Sequence, residues 1–427
     1  MFKPIKLRHL LLIVALLTAV VRITLLADTS VLLWYYFVLI ISDYKAAAGQ
    51  LSFGLFDSFF SLLGLIFIIS YLLLKKEKPE FLENKITLTS TVLVLLFYFF
   101  VFAPLIAGRN PDFQKNIGVT KLLSPFSAVK VIHLKKEDDK GGPLNNFLSL
   151  KPEVVKNSFD ESIIMANSIK LGDKLAYYQK DEEYNIDLNK LELNADGKPV
   201  ITSRIFLLGS DELGRDIFSR LVYGARVSLF VGLGSVAVSL LLGLLLGFLA
   251  GYPGGAADSL LNRVTDMFLA FPVIFLIILI LALFGNSLFT VIFVLGFSGW
   301  MSLFKIVRGE VISLKNKDFF ITAQLVGLNK KSLLLKEVLP VITAPIVVNL
   351  VFQYGNVILA EAALSFLGLG TGSSYPSWGA MIEAGQNYLS QAWWMIFFPG
   401  ITLFFTLFAA NNLGREINSY FNPRLAK

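Results

Sequence analysis

Three uncharged amide side chains interrupt one of the most apolar stretches of this sequence. Asn349, Gln353 and Asn356 are four and three residues apart, so on an α-helix they lie on one side and form a polar stripe. Amides both donate and accept hydrogen bonds, which suits a passage for peptide-like polar groups. Polar residues in a membrane usually face a wet cavity, but they also join helices by hydrogen bonds. The stripe therefore predicts either a lined pathway or interhelical contacts. Glu361, further along the helix, is a candidate gate or packing residue, unless it lies at headgroup level.

A second group of reactive side chains is charged. The stretch 209–216, GSDELGRD, contains Asp211, Glu212, Arg215 and Asp216. The next residues alternate so that apolar side chains at 217, 218, 221 and 222 oppose polar ones at 219 and 220, a pattern typical of an amphipathic helix at a membrane interface. The four charged residues are candidates for docking another protein, and a solvated helix cap is the alternative.

Several kinds of chemistry are excluded by the residues that the sequence lacks. There is no cysteine, and the two histidines, His9 and His133, are far apart, so no transition-metal site is expected. No G-x-x-x-x-G-K-[ST] phosphate loop, no H-E-x-x-H and no nucleophile–base pattern is present. The sequence therefore predicts a chain that is not an enzyme and cannot hydrolyse ATP by itself.

The elements that must position these side chains are membrane helices. Of the 427 residues 55% are hydrophobic and only 16% charged, whereas a soluble protein carries about a quarter charged residues. Continuous apolar runs of about 20 residues predict membrane-spanning helices and argue against a barrel. The predicted spans are 10–27, 55–74, 87–107, 227–250, 268–284, 288–304, 344–360 and 394–410. Residues 30–42 are aromatic and short, which favours a position at the interface.

The polar connections predict the orientation. The connection 308–337 and the C-terminal tail are basic, so both are expected in the cytoplasm. The connection 370–392 is acidic and is expected outside. The net charge of +7 thus indicates cytoplasmic loops and not nucleic-acid binding. The basic segments 1–8 and 75–78 should also be inside, which favours two additional N-terminal spans. The first apolar run is interpreted as a retained span, because Arg22 follows it and no signal-peptide cleavage site is evident.

A long polar insertion, 108–205, separates the third predicted span from the rest. Its basic and acidic residues nearly balance, and it has turn signals and a strand-like ITSRIF at 201–206. The sequence predicts a small folded α/β domain on the outer side without a catalytic pattern. Further on, Gly243, Gly247 and Gly251 are spaced by four, which favours close packing of transmembrane helices, within the chain or against a second subunit.

The segment 318–340, DFFITAQLVGLNKKSLLLKEVLP, is too polar to cross a bilayer. It predicts a short helix that Gly327 ends, a second helix that Asn329 caps, and a turn into the next span at Pro340. Ala323 and Gly327 would let another backbone come close, and Phe319 and Phe320 would be apolar anchors. From these residues alone, a docking site and a partnerless interfacial loop are both open.

This segment resembles the cytoplasmic EAA loop of ABC importer permeases, E-A-A-x-x-x-G followed by L-P. Ile321, Thr322, Ala323, Gly327, Leu339 and Pro340 stand at the matching positions, with Ile321 and Thr322 replacing the glutamate and first alanine. The chain also resembles the C-type subunits of the dipeptide/oligopeptide/nickel branch, in the motifs GSDELGRDIFSRLVYGARVSLFVG (209–232), LLGFLAGYPGGAAD (245–258), EAALSFLGLG (361–370) and PSWGAMI (376–382). The histidine-proline usual in that branch is replaced by Phe206 and Leu207.

The resemblance implies an all-α polytopic helical bundle, a type I importer permease core of six spans. The expected organisation is an additional membrane region at 1–86 with about two spans, the first core span at 87–107, the insertion at 108–205 and the permease core at 206–427. It implies a multi-pass protein of the bacterial cytoplasmic (inner) membrane with both termini in the cytoplasm.

The resemblance also implies the partners. They are a homologous permease forming a heterodimer, two cytoplasmic ATPases bound at the coupling helix in 318–340, and an extracytoplasmic substrate-binding protein; ATP and Mg²⁺ belong to the ATPases, and the chain has no cofactor of its own. The cargo stays open between a dipeptide, an oligopeptide, a nickel chelate and another solute. Two other functions are alternatives to an importer permease. One is an ion-coupled secondary transporter, which would need ionisable groups at mid-membrane, and the other is a membrane enzyme with its chemistry in the insertion.

Overall fold

The computed structural model describes residues 6–74, 84–135, 142–172, 174–180, 182–370 and 376–421, together with 79, 82 and 372. The chain forms two compact units, residues 1–226 with 384–400, and residues 227–383 with 401–427. The predicted basic segment 75–78 lies outside the described residues.

The helices are α1 (Leu7–Val21), α2 (Ile23–Ser42), α3 (Tyr44–Gly49), α4 (Phe53–Leu74), α5 (Leu88–Ile106), α6 (Ile117–Thr120), α7 (Pro143–Val154), α8 (Ile217–Gly251), α9 (Gly255–Ala270), α10 (Val273–Phe284), α11 (Leu288–Lys315), α12 (Asp318–Leu325), α13 (Lys330–Ser332), α14 (Leu339–Phe366), α15 (Trp378–Gly385) and α16 (Trp394–Phe421). The strands are β1 (Ser127–His133), β2 (Ile163–Ala166), β3 (Ser168–Leu171), β4 (Leu175–Gln179), β5 (Glu182–Ile186) and β6 (Ile201–Phe206).

The membrane part of the chain is all-α. By length and hydropathy, seven helical segments of the described residues can cross a membrane, and the bent pair α9 and α10 brings the number to eight. The segments are α2, α4, α5, α8, α11, Lys330–Phe366 and α16. The predicted polytopic helical bundle with a small α/β insertion is therefore confirmed.

The predicted first span, 10–27, is divided at Arg22. The backbone leaves helical geometry there, with φ −111° and ψ 24°, and separates α1 from α2. Hydropathy alone selects α2 as a span and finds α1, with 15 residues, too short. The tertiary contacts favour α1 instead, because this helix runs beside α5. At its start Leu7 N donates to Asn84 O at 3.0 Å, and just after its end Arg22 Nη2 donates to Ile106 O at 2.8 Å.

Helix α2 packs on the polar insertion. Its buried side chains Leu32 and Leu39 belong to one apolar cluster with Phe147 and Val154, which lie at the two ends of the face that α7 buries. The opposite side of α2 exposes large apolar residues, of which Trp34 is 61% exposed. The interfacial position expected for residues 30–42 stays a prediction, because by length and hydropathy α2 can also cross a membrane.

Helix α5 is kinked one turn before its end. Pro104 has no N–H, so the carbonyl of Phe100 loses its helical partner, and the backbone at Phe102 is non-helical. Arg226 restores these contacts, because its Nε donates to Phe100 O at 2.6 Å and its Nη2 to Val101 O at 2.9 Å. Its Nη1 pairs with Asp57 of α4 at 2.5 Å. The additional helix α4 is thus joined to the start of the core by a partly buried ion pair.

The insertion contains two antiparallel three-stranded sheets, in the orders β2–β1–β6 and β3–β4–β5. In the first sheet Lys130 pairs with Ala166 and Ser127 with Phe206. Alternate residues of β1, Val129 and Val131, face a core that includes Met165 and Phe206. The strand predicted at 201–206 is β6, so this prediction is confirmed.

In the second unit, the three spaced glycines of α8 face α11. An added Cβ would lie 2.7 Å from Leu303 at Gly243, 2.6 Å from Val307 at Gly247 and 2.9 Å from Val311 at Gly251. The predicted close packing is confirmed, and it occurs within the chain.

The span predicted at 268–284 is wrong as a single helix. Helices α9 and α10 meet at a bend of 89° next to Pro272, which lacks the N–H that would continue α9. The first predicted core span, 87–107, is present as α5, and the core spans predicted at 227–250, 288–304, 344–360 and 394–410 are present as longer helices.

Candidate functional site

The short helix α12 is attached to the core by one of its sides. Phe320 and Ala323, three residues apart, are 1% and 9% exposed. They lie in an apolar cluster with Val307 and Val311 of α11 and Ile342 of α14. Phe320 also packs on Tyr252, with 6.4 Å between ring centroids. Since both side chains point inward, the expectation that Phe320 and Ala323 form the contact surface for a partner does not fit this structure; they position the helix.

The end of α12 has the predicted local geometry. Gly327 has φ +87°, which favours glycine, and Leu328 N donates to Ala323 O at 3.2 Å. The side chain of Asn329 accepts from Ser332 N at 2.8 Å and caps α13. The predicted helix end at Gly327 and cap at Asn329 are confirmed.

The turn predicted at Pro340 is wrong. A π-helical turn, Leu333–Val338, joins α13 to α14, so that Lys330–Phe366 runs as one helical segment. Pro340 stands where the π-helical turn meets α14, and it has no N–H to donate to the preceding turn. Leu339 packs against the same cluster as Phe320, and Pro340 is exposed.

The opposite side of α12 is apolar and exposed. Phe319 and Ile321 are 42% and 44% exposed, and Leu325 and Val326 are 82% and 77% exposed. Thr322, also exposed, donates its hydroxyl to Asp318 O. No other described atom comes within 4 Å of a Cβ added at Gly327, so the surface around it is open. Sequence reasoning missed Leu325 and Val326, although two apolar residues directly before a helix-ending glycine were a usable signal.

The predicted amide stripe lines a cavity of about 370 Å³ between α10, α11 and α14. Asn349, Gln353 and Asn356 form its polar wall together with Ser298 and Ser302. Gln353 Nε2 donates to Ser239 Oγ at 2.6 Å, and Ser239 Oγ donates to Gly296 O at 2.6 Å. Among the described residues, the buried atoms Asn349 Oδ1 and Gln353 Oε1 have no hydrogen-bond partner. Both alternatives, a lined pathway and interhelical contacts, therefore have support. Gln353 joins two helices through Nε2, whereas its Oε1 is unpaired among the described residues.

Glu361 is fully buried at 0% exposure. Ser365, one turn later on α14, donates its hydroxyl to Glu361 Oε1 at 2.8 Å. This burial inside the protein favours packing or gating, and the depth of Glu361 in the membrane stays a prediction.

The charged residues of 209–216 form a buried ionic network. Arg215 Nε lies 2.6 Å from Asp211 Oδ2, and Arg215 Nη2 lies 3.2 Å from Glu212 Oε1. Asp211 Oδ1 also accepts from the backbone N–H groups of Leu213 and Arg215. Arg220 completes the network by pairing with Asp112 at 2.8 Å. Burial and the neighbouring Asp211 charge raise the pKa of Glu212.

This buried network stabilises the start of α8 and does not form an exposed surface. Asp216 Oδ2 accepts from Ser219 N at 2.9 Å and from its hydroxyl at 2.6 Å, which caps the helix. Asp211, Arg215 and Asp216 are 2%, 6% and 8% exposed. The expected interfacial amphipathic helix is wrong, because Ile217 and Ser219, on opposite sides, are both buried. The docking role stays a prediction, and Glu212 is the member of the four that is least buried.

In the described residues, no group of three or more His, Asp or Glu side chains is placed to hold a metal ion. The fold and these sites define a multi-pass membrane protein with an amide-lined cavity between helices and a short surface helix attached to the same unit. Residues 243–427 match the family "Binding-protein-dependent transport system inner membrane component".

The oligopeptide transport system permease protein OppC of Bacillus subtilis (strain 168) is 35% identical over 235 residues, 55% of this chain and 76% of the relative. The dipeptide transport system permease protein DppC of the same organism is 37% identical over 220 residues, 51% of this chain and 69% of the relative. A solved amino acid ABC transporter with histidines aligns with a TM-score of 0.37 and 13% identity, over 48% of this chain and 94% of that one. The chain belongs to the family of binding-protein-dependent transport system inner membrane components and is a permease subunit.

Proposed function

We propose that this chain is the permease subunit of an ATP-driven importer of peptide-like solutes. It pairs with a homologous permease to form the pathway and receives solutes from an extracytoplasmic binding protein. Two partner ATPases bind and hydrolyse ATP with Mg²⁺, because the chain has no phosphate loop. The relatives named for oligopeptide and dipeptide transport support the choice of solute.

The observation that carries the proposal is the two-sided character of α12. One side is held in the core by Phe320 and Ala323, and the other presents Leu325 and Val326 to the surroundings. Burying an exposed aliphatic side chain contributes about 1.5–3 kcal/mol, so two such residues on a rigid helix are suitable anchors for a partner. The ATPases bind this side.

The helix is connected to the pathway by continuous structure. Its inward residues share a cluster with Ile342 of α14, and α14 belongs to the unbroken segment Lys330–Phe366 that also carries Asn349 and Gln353. A displacement of α12 therefore moves the polar wall of the cavity. Switching of packed helices between two discrete arrangements converts ATPase closure into alternating access.

The polar wall of the cavity forms part of the pathway. Asn349, Gln353 and Asn356 offer amide groups that hydrogen-bond a peptide backbone without selecting one side chain. Glu361, buried further along the same helix and hydrogen-bonded by Ser365, serves this pathway as a gating or packing residue.

The proposed topology follows the charge distribution. Residues 308–337 and both termini are cytoplasmic, and the insertion 108–205 is outside, in a bacterial inner membrane. Within 1–86, α1 and α4 are the two additional crossings, and α2 lies at the outer interface. The binding protein contacts the outer side on which Glu212 lies, while Asp211, Arg215 and Asp216 hold that region in shape.

The test is a charge placed on the exposed side of α12. Leu325→Asp should prevent co-purification of co-expressed ATPase subunits and abolish uptake, because it buries an unpaired carboxylate in the contact. The matched control is Leu171→Asp, at a side chain of β3 that is 61% exposed. Membrane insertion should be normal for both variants. Retention of the ATPases by Leu325→Asp, at the level of the control, would refute the proposal.

A further inference from the structure

Three cationic side chains gather where α5 ends. Arg22 Nη2 donates to Ile106 O at 2.8 Å, and Lys156 Nζ donates to Gly108 O at 2.5 Å. Arg109 follows directly in the chain, and its guanidinium lies over the Phe206 ring at 4.8 Å. Cations are favoured near the carbonyl end of a helix, but carbonyl groups supply only partial charge.

These cations lack full compensation in the described part of the chain. Arg109 Nη1 is buried without a hydrogen-bond partner there, and the hydrogen bonds of Arg22 and Lys156 at this place go to backbone carbonyl groups. Burial, together with the charges of Arg22 and Arg109, lowers the pKa of Lys156 to about 8, against the weaker opposing effect of Glu153. Burial also lowers the pKa of Arg109 to about 10, against the weaker opposing effect of the Asp216 charge. A desolvated cation that is only partly compensated is costly, so an anion at this place would stabilise the fold.

A cavity of about 790 Å³ gives access to Arg109 and Lys156. Its size is in the range of sites for small organic ligands, and larger than a bare inorganic ion needs. The rings of Phe113 and Phe159 form part of the cavity wall, and the guanidinium carbon of Arg204 lies 4.5 Å from the centroid of the Phe113 ring. The other ionisable residues in the wall are His133, Glu153, Asp160, Glu161 and Arg204.

The acidic residues of the cavity wall limit which charged ligands can bind there. Asp160 Oδ1 already accepts from Ser162 N and Oγ, at 2.8 and 2.7 Å, whereas Glu161 lines the cavity without taking part in that turn. A dianion such as phosphate would be repelled by this part of the wall. A molecule with a carboxylate at one end and an ammonium at the other satisfies both kinds of charge.

We propose that this cavity in the insertion is a binding site for a small zwitterionic solute, whose carboxylate pairs with Arg109 and Lys156. The choice of a short peptide as that solute rests on the proposed transport function, while the carboxylate site rests on the cations themselves. The site gives the insertion a solute-binding role of its own, separate from the amide-lined cavity of the second unit.

The proposal has a consequence for pH. A carboxylate beside Lys156 favours the ammonium form and raises the pKa of Lys156 above its value of about 8 in the unliganded chain. Binding near pH 8 therefore takes up protons, and the affinity falls as the pH rises above about 8. The charged groups that face Lys156 are Arg22 at the junction of α1 and α2, Arg109 after α5 and Glu153 on α7.

The experiment is calorimetric titration of the full chain in lipid nanodiscs, without ATPases or ATP. L-alanyl-L-alanine should bind, with proton uptake at pH 8, and its C-terminal amide should bind roughly ten- to hundredfold more weakly, the loss expected for a charge-assisted hydrogen bond. Arg109→Gln and Lys156→Gln should each weaken dipeptide binding by a similar factor. Lys198→Gln, at an exposed turn of the insertion, is the control and should bind as the parent chain does.

The contrary results are distinct. Equal binding of the dipeptide and its amide, binding of inorganic phosphate but not of the dipeptide, or no binding at all in a folded, monodisperse sample would each overturn the proposal. So would unchanged affinity in both Arg109→Gln and Lys156→Gln. Dipeptide binding in a chain that fails to associate with ATPases would count against the proposed transport function alone.

Discussion

The packing of α8 on α11 allows a quantitative prediction at Gly247. In Gly247→Ala the new Cβ would lie 2.6 Å from Val307 Cγ1 and 2.7 Å from Val307 Cβ, well inside van der Waals contact. Rotation of the Val307 side chain cannot relieve the second contact, because its Cβ is fixed by the backbone. The two helices must move apart, and the neighbouring contacts at Gly243 and Gly251 loosen with them.

Overpacking of this kind typically lowers the free energy of unfolding by about 1–3 kcal/mol. The matched control is Gly309→Ala on α11, where no described atom lies within 4 Å of the added Cβ. There alanine should raise the free energy of unfolding by about 0.5–1 kcal/mol, since it favours the helix over glycine. Reversible unfolding in mixed micelles measures both variants. Equal stabilities, or a more stable Gly247→Ala, would refute the close-packing explanation.

Two further predictions concern residues that sequence reasoning had assigned to partner contacts. Phe320→Ala should lower the free energy of unfolding by about 3–5 kcal/mol, whereas Phe319→Ala should change it by less than about 1 kcal/mol, in the same unfolding assay; similar losses would mean that α12 is not held by Phe320. Arg215→Gln should cost about 3 kcal/mol because it leaves Asp211 buried without its closest cation, and exposed Arg263→Gln should cost almost nothing; a neutral Arg215→Gln would argue for a surface role.

Local features of the segment 318–340 could be predicted because they depend on near neighbours in sequence. Gly327 ends α12 through its positive φ, and Asn329 caps α13 through its own side chain. The direction of Phe319 and Phe320 could not be predicted, since either of two adjacent phenylalanines can face the core. That choice depends on Val307 and Ile342, which are distant in sequence.

The charged residues at 211–216 show a different limit. Asp and Arg are usually exposed, so a docking surface was a reasonable interpretation of the sequence. Their burial depends on a network that includes Asp112, about a hundred residues earlier, and on side-chain caps that no periodicity reveals. The additional N-terminal helices are a similar case. Hydropathy alone does not place the break at Arg22, whose side chain donates to Ile106 O, 84 residues later in the chain.

The spacing of Gly243, Gly247 and Gly251 did predict close helix packing, because small residues one turn apart leave a groove whatever fills it. The partner, α11, could not be named from the spacing. The cavity in the insertion could not be predicted either, since Arg109, Lys156 and Arg204 come from separate elements.

The most direct measurement of the central claim uses the absence of cysteine from this sequence. A single Leu325→Cys substitution places one thiol on the exposed side of α12, where a membrane-impermeant maleimide can report its surroundings. In inside-out vesicles the thiol should react quickly without ATPase subunits and slowly when they are bound, and in intact cells it should not react. Labelling from outside intact cells, or equal labelling with and without the ATPases, would contradict the account.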